Sequence, residues 1–428
     1  MKILSWVVFA GALVTQAPCW ASKPDYSFQG GFSGSFARHT LSPTDPASQR
    51  FDFNLEQKFE YGAFKGALGG SFWNESVYVT DTDRYPERLA REDSAEARLR
   101  NAYLQYEGSN YFLRLGNQQV VWGEAFGFFY CDIINPKDLR GGGFGDLSDI
   151  RLQSPILNTK LILQDFTFQI VLIAQPSFNL LPSPGSDYAI PLANGLPIET
   201  FEIRREARLP ITSQNQEWGY RIGGLIGQWD LGAFYLNSYD RNPYYTIATE
   251  SQLPQKLVLQ EVHSRIQSYG FTATNDFDGL LVRLEVLQIQ DRIVPLVDQT
   301  GLTSLKVKDS IYVVGVDLPT FEKWNLNLQW SEDTLSEKPA GLFKSGKQSL
   351  ASLRIQRPFF RNHNLELLYT HSVTDHGQRA QIDYMAPLSR QLESHWGAEL
   401  LEGPMTSDFG KLRNASRLFV LFKFFLKG

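Results

Sequence analysis

Apolar and polar side chains in this chain alternate with a period of two over unusually long stretches. From position 51 to 61, Phe51, Phe53, Leu55, Phe59 and Tyr61 fall on one face, and Asp52, Asn54, Glu56, Lys58 and Glu60 on the other. A period of two is the signature of a strand. A tilted strand of about 11 residues crosses a bilayer, whereas strands in soluble proteins average about 5 or 6. The same dyad returns in Trp324, Leu326, Leu328 and Trp330, in Trp218, Tyr220 and Ile222, and in Leu280, Val282, Leu284 and Val286. Alternation alone suits a sandwich core as well as a lipid face, but Trp and Tyr at strand ends suit an interfacial belt.

Connection lengths decide between these. Strands are expected near 26–37, 51–61, 64–73, 95–106, 111–120, 157–163, 166–174, 217–228, 231–239, 265–275, 278–289, 310–318, 323–332, 349–357, 363–373, 379–386, 392–402 and 414–426. Every second connection is tight, as at Gly62-Ala63, Gln164-Asp165 and Trp229-Asp230. The others are mostly long, around 121–156, 175–216, 240–264 and 290–309. Short turns at one end and long loops at the other are the outer-membrane arrangement. The reading is all-β: a transmembrane antiparallel up-and-down barrel of about 18 strands, with 16 as the alternative and both termini in the periplasm. The last strand carries Leu418, Val420, Phe422 and Phe424 on one face, then runs on through Leu426-Lys427-Gly428 rather than ending on an aromatic.

Residues 1–21 read as a signal peptide: Lys2, an apolar stretch from Ile3 to Val14, and small residues before a cut after Ala21. The remainder, 22–428, is then one barrel domain in the Gram-negative outer membrane. No later run reaches 18 apolar residues, so a helical membrane protein is excluded. Cys131 would be the single cysteine left, which rules out an internal disulfide and a cysteine-built metal site. No cofactor is expected. A net charge of -5 gives no support for a nucleic-acid partner. The aromatic count, with Phe 30, Tyr 18 and Trp 9, fits aromatic girdles.

The most distinctive segment runs from Tyr111 to Arg140. It contains Arg114, Gly116 and Gln118, then Trp122-Gly123-Glu124, then Asn135-Pro136-Lys137-Asp138. This R-x-G-x-Q…W-G-E…N-P-x-D pattern resembles a family of proteobacterial outer-membrane barrels of unknown function. The resemblance covers about residues 95 to 165, with Asn117 standing where an arginine is usual. A looser likeness is to alginate-export barrels, also of 18 strands. These resemblances imply an outer-membrane location and association with export or lipid-handling systems that contain inner-membrane pumps.

If Tyr111, Leu113 and Leu115 face lipid, then Phe112, Arg114, Gly116 and Gln118 face the lumen. Arg98 and Arg100 on the partner strand are expected to join Arg114 as a positive ladder. Glu124 and Asp138 on a folded-in loop, with Arg140 nearby, would face it and form a constriction. The bland alternative is that the arginines only neutralise loop carboxylates and hold the loop. Trp122 and Gly123, with Asn135 and Pro136, are expected at the loop base. Gly141 to Gly145 lacks the Lys-Ser/Thr of a phosphate loop and reads as a loop tip. Residues 182–197 read as a surface loop over the mouth or against outer-leaflet lipid. His371 and Ser372 are strand neighbours on opposite faces, and no nucleophile signature accompanies Asp375, His376 or Asp383, so an enzyme is not expected.

Four functions fit to different degrees: a passive or export channel, a conduit for lipid, polysaccharide or hydrophobic molecules working with an inner-membrane pump, a structural or adhesive barrel without an open pore, and a soluble β protein. Expected partners are outer-membrane lipid, the barrel-assembly machinery and periplasmic chaperones during biogenesis, and an inner-membrane exporter.

Overall fold

The computed structural model describes residues 25–123, 130–142, 147–189, 201–248, 257–298, 301–342, 345–359 and 362–427. Eighteen long strands form one antiparallel sheet. In chain order they are β1 (Asp25–His39), β2 (Pro46–Tyr61), β3 (Phe64–Glu75), β4 (Ala95–Glu107), β5 (Tyr111–Gln118), β6 (Ser154–Leu163) and β7 (Phe166–Ile173). After the short β8 (Phe201–Arg204) come β9 (Glu217–Ile226) and β10 (Trp229–Tyr239), then the short β11 (Tyr244–Ile247) and β12 (Leu257–Val262). The wall resumes with β13 (Arg265–Phe277), β14 (Leu280–Asp298), β15 (Gly301–Asp317), β16 (Asn325–Leu335) and β17 (Lys347–Pro358). It ends with β18 (Asn364–Ser372), β19 (Gln378–Pro387), β20 (Leu392–Glu402) and β21 (Arg417–Lys427). Each wall strand pairs with the next, and β1 closes on β21 from Gln29↔Lys427 to His39↔Arg417. All edges are consumed, which is the condition for a sheet in lipid.

The wall strands fall where the alternation places them, and the count is 18. Tight turns gather at one end, where Gly62, Gly227 and Gly279 take the positive φ that two-residue hairpins need. Outward side chains are apolar and uncovered: Tyr26, Phe28, Phe32 and Phe36 on β1, Leu113 and Leu115 on β5, Tyr220 and Ile222 on β9. An apolar band around a closed barrel belongs in a bilayer. His371 shares this outward face, while Ser372 is buried on the inward one.

The structure corrects one loop. Residues 290–298 and 301–309 are not a loop but the upper halves of β14 and β15, which continue past a bulge between Ile289 and Arg292. Val294 and Val307 there pack with Leu305, Leu335 and Leu342. The local dyad is real, and it extends a hairpin above the wall instead of crossing lipid. A second difference lies within the expected loops 175–216 and 240–264: β8, β11 and β12 form a small three-stranded sheet above the barrel.

Candidate functional site

Strands β6, β7, β10, β13, β14 and β15 carry buried apolar side chains on their inward faces as well as apolar ones outward, with polar residues such as Asn158, Gln169, Thr272 and Glu285 between them. Outward they present side chains such as Ile170, Phe271, Val286 and Tyr312 to lipid. Inward they carry Ile156, Val171, Ile173, Phe234, Leu236, Ile266, Leu287, Ile289, Ile311 and Val313. An apolar wall facing water would be costly, at roughly 25 cal/mol per Å². The connection between β5 and β6 covers it: Val120, Trp122, Cys131 and Ile134 enter the barrel and complete one buried core. This plug, not a bare polar lumen, occupies that side of the interior.

The motif residues build the plug. Trp122 is buried against Phe234, its indole Nε1 donating to Gln169 Oε1 at 3.0 Å. The Asn135 side chain acts as a strand partner for Val120, accepting from its N–H at 3.1 Å and donating to its carbonyl at 2.7 Å. A Cβ on Gly123 would lie 3.2 Å from Cys131 and Asp132, so glycine there permits close approach of the two plug segments. The Pro136 carbonyl accepts from Leu152 N–H at 2.8 Å, which turns the plug back toward β6. Gln118 corrects its expectation: it points inward but is wholly buried, donating to Ile156 O at 2.8 Å under the plug, and does not line an open lumen.

The charged candidates separate into two groups. Arg98 meets Glu96 at 2.9 Å and Asp138 at 3.4 Å. Arg140 meets Glu96 and Asp138, each at 2.6 Å, and Asp93 at 3.4 Å. Burial opposes the charge of Asp138, but the hydrogen bond and charge of Arg140, then Arg98, hold its carboxyl below the ordinary range. Arg100 reaches Asp149 on the far limb of the loop at 3.4 Å. Arg114 does not join them. Its guanidinium bonds Gln105 Oε1 at 2.9 Å and lies over the Tyr103 and Phe112 rings, 4.3 and 5.2 Å from their centroids. The expected ladder of three arginines therefore ends at two. Glu124 and residues 143–146 lie outside the described residues. Asn117, the departure from the usual motif, donates to the Leu99 carbonyl at 3.2 Å and also bonds that of Arg100, where β4 bulges.

Several anchors escaped the sequence reading. Arg241 grips buried Glu217 with two 2.8 Å bonds and donates to the carbonyls of Ile134 and Ser177. Arg151 bonds buried Asp132 at 2.6 Å, and Arg292 bonds Asp240 at 2.8 Å. The segment 174–189 forms a strap. Leu180 pairs with Lys137 and Leu139 of the plug. Asp187 bonds Tyr85 at 2.8 Å and Arg84 at 3.3 Å, and Tyr188 docks on Glu399 at 3.2 Å beneath Arg417. Of the expected surface loop 182–197, residues 182–189 are partly buried, with Tyr188 packed against Leu401, Leu412 and Ala415, and 190–197 lie outside the described residues. Only one signal in the sequence could have flagged the anchors: an Asp or Arg just beyond a strand end, as at Asp240-Arg241.

Residues 33–336 match the family described as Protein of unknown function (DUF1302). The chain belongs to the DUF1302 family. No curated protein matches the sequence. Among solved structures, OccK8 (OprE) of Pseudomonas aeruginosa superposes with a TM-score of 0.54 at 9% identity, over 94% of this chain and 98% of that one. OccAB1 of Acinetobacter baumannii gives 0.53 at 8% identity, over 96% and 98%. OccAB2 of the same organism gives 0.52 at 11%, over 94% and 98%. At such identities the likeness is one of fold, and the fold of this DUF1302 chain is a porin-like outer-membrane β-barrel.

Proposed function

We propose that the chain is an outer-membrane channel whose lumen is narrowed to one side by the plug and strap. One observation carries this reading: the plug core lies on the apolar arc, with its edge on Leu350 of β17, and leaves charged inward side chains elsewhere open to water. Away from it, β2, β18 and β19 carry inward carboxylates that water reaches, whereas the inward polar side chains of β16 are buried. Asp52, Glu366 and Asp383 have side chains 31%, 29% and 28% exposed. A wall built to be sealed would be apolar there too, as it is on β10 and β15. The Arg98–Asp138–Arg140 cluster then acts as the inner edge of the passage, fixed by paired charges. Transport rather than catalysis is the role.

Lipid, polysaccharide or a hydrophobic molecule as cargo, and an inner-membrane pump as partner, follow from the family resemblance and belong to this proposal. So do cleavage of a signal peptide and handling by periplasmic chaperones and the barrel-assembly machinery. A barrel without an open pore is the second reading, favoured by the extent of the plug core. Planar-bilayer recording of refolded, heat-modifiable protein separates them. Steady single-channel conductance supports the channel, and silence from a folded barrel supports the closed, structural reading.

A further inference from the structure

Inward-facing cations of this barrel are almost all neutralised in place. Arg50 meets Asp52, Lys58 meets Glu56, Lys65 meets Glu107, Arg283 meets Asp317, Arg354 meets Glu366, and Arg379 and Arg417 share Glu399. Two neighbours break the rule. Arg114 on β5 lies opposite Asn158 of β6, and Lys160, two residues farther along β6, lies opposite Phe112. The two are diagonal neighbours on one face, about 7–8 Å apart at the backbone and within side-chain reach of a shared ligand. Among the described residues, neither has a carboxylate partner.

Arg221 of β9, in the same row as Lys160 across Gln169, adds a third positive charge, and the side chains in contact with the pair are neutral. The Phe112 ring lies beneath both cations, 5.2 Å from the Arg114 guanidinium and 5.5 Å from Lys160 Nζ. Tyr103 backs Arg114 at 4.3 Å. Gln105, itself buried, takes the Nε edge of the guanidinium and so fixes the plane of the fork while leaving Nη1 to donate elsewhere. Both cations are only half-buried. Two like charges held side by side repel, and a mobile anion bridging them removes that repulsion.

We infer that Arg114 and Lys160, on the platform of Phe112 and Tyr103, form a binding site for an anionic oxygen group, a carboxylate or a phosphate, on the lumen wall between plug and short turns. This rests on the channel reading and names the solute class that the channel favours. The guanidinium Nη1 and the ammonium would both donate to the anion, and a ring attached to it would lie against Phe112.

The test uses the refolded full barrel, with heat-modifiable migration as the check of folding. Benzoate and inorganic phosphate are each titrated against single-channel current and, separately, by calorimetry on the detergent-solubilised protein. The expected result is saturable binding of at least one of them. The double variant Arg114→Gln/Lys160→Gln should weaken it about tenfold, the loss typical of a charge-assisted contact. It should also shift the reversal potential in a KCl gradient toward the cation side. The charge-keeping pair Arg114→Lys/Lys160→Arg should retain selectivity. Saturation by both probes means that the site reads charge alone, and saturation by benzoate only means that the rings take part; either supports it. No saturable binding of either, or equal binding and reversal potential in wild type and double variant, overturns it. A silent barrel that still binds anions through Arg114 and Lys160 would defeat the channel reading and leave the site standing.

Discussion

Arg241 illustrates how a single side chain can hold an entire loop. Its guanidinium is spent on Glu217, which is fully buried, and on two carbonyls from two different segments. Removing one partner of a buried pair strands the other charge, at about 3–5 kcal/mol, whereas replacing both with apolar side chains is often near neutral. Arg241→Ala should therefore destabilise the barrel by about that much, and Arg241→Met/Glu217→Met by clearly less, in urea titrations of heat-modifiable protein. Cys131 reports where the damage falls. It is buried in the plug, so a maleimide should label it only after unfolding in the wild type. In Arg241→Ala it should label under native conditions, and failure to label would mean that the plug does not depend on this clamp. Residues such as these are poorly legible in a sequence. Parity placed Gln118 on the inward face, but whether that face is wet depends on where a loop 35 positions long comes to rest, and no local pattern encodes that.

The wall strands were legible because lipid imposes the period of two on every one of them. Loops answer to other rules. The upper parts of β14 and β15 keep the dyad for packing against Leu335 and Leu342, so the pattern was present but its cause was different. The strap and the small sheet are held by contacts distant in sequence. One is a latch at His263, which stacks on Phe178 of the strap with ring centroids 3.5 Å apart and bonds Glu206 at 2.6 Å. Asp240 and Arg241 are the other charges near it, and burial, the largest influence, outweighs Glu206 and lowers the imidazole's affinity for a proton. A lowered value in the closed state means that the latch favours neutral histidine. Its contribution is fully present above the ordinary value of 6.5 and fades as pH falls below it. Loop protection in hydrogen exchange should thus be greater at pH 7.5 than at pH 5. His263→Gln should flatten that dependence, and an unchanged profile would remove His263 as its source.

The barrel is consistent with lipid outside and water inside only if its two-sided apolar arc is covered, and this couples the plug to the wall. A barrel of polar interior could lose an inward loop with little cost. Here the inward faces of β10, β14 and β15 would be left to water, and with them Phe234, Leu236, Leu287, Ile289, Ile311 and Val313. At about 1.5–3 kcal/mol for each large apolar side chain, that exposure would use up the stability of an ordinary domain. The excision itself is geometrically mild, because the Asn135 side chain already touches the backbone of Val120 at 2.7 and 3.1 Å. Replacing residues 121–134 by a short Gly-Ser link therefore tests the coupling without straining the ends. The shortened barrel should refold poorly, bind a hydrophobic dye where the wild type does not, and, in the fraction that folds, conduct several-fold more. A barrel that refolds as well as the wild type and stays dye-free would show that the apolar arc does not need the plug. Unchanged conductance in folded protein would place the passage elsewhere, along the polar strands and clear of the plug.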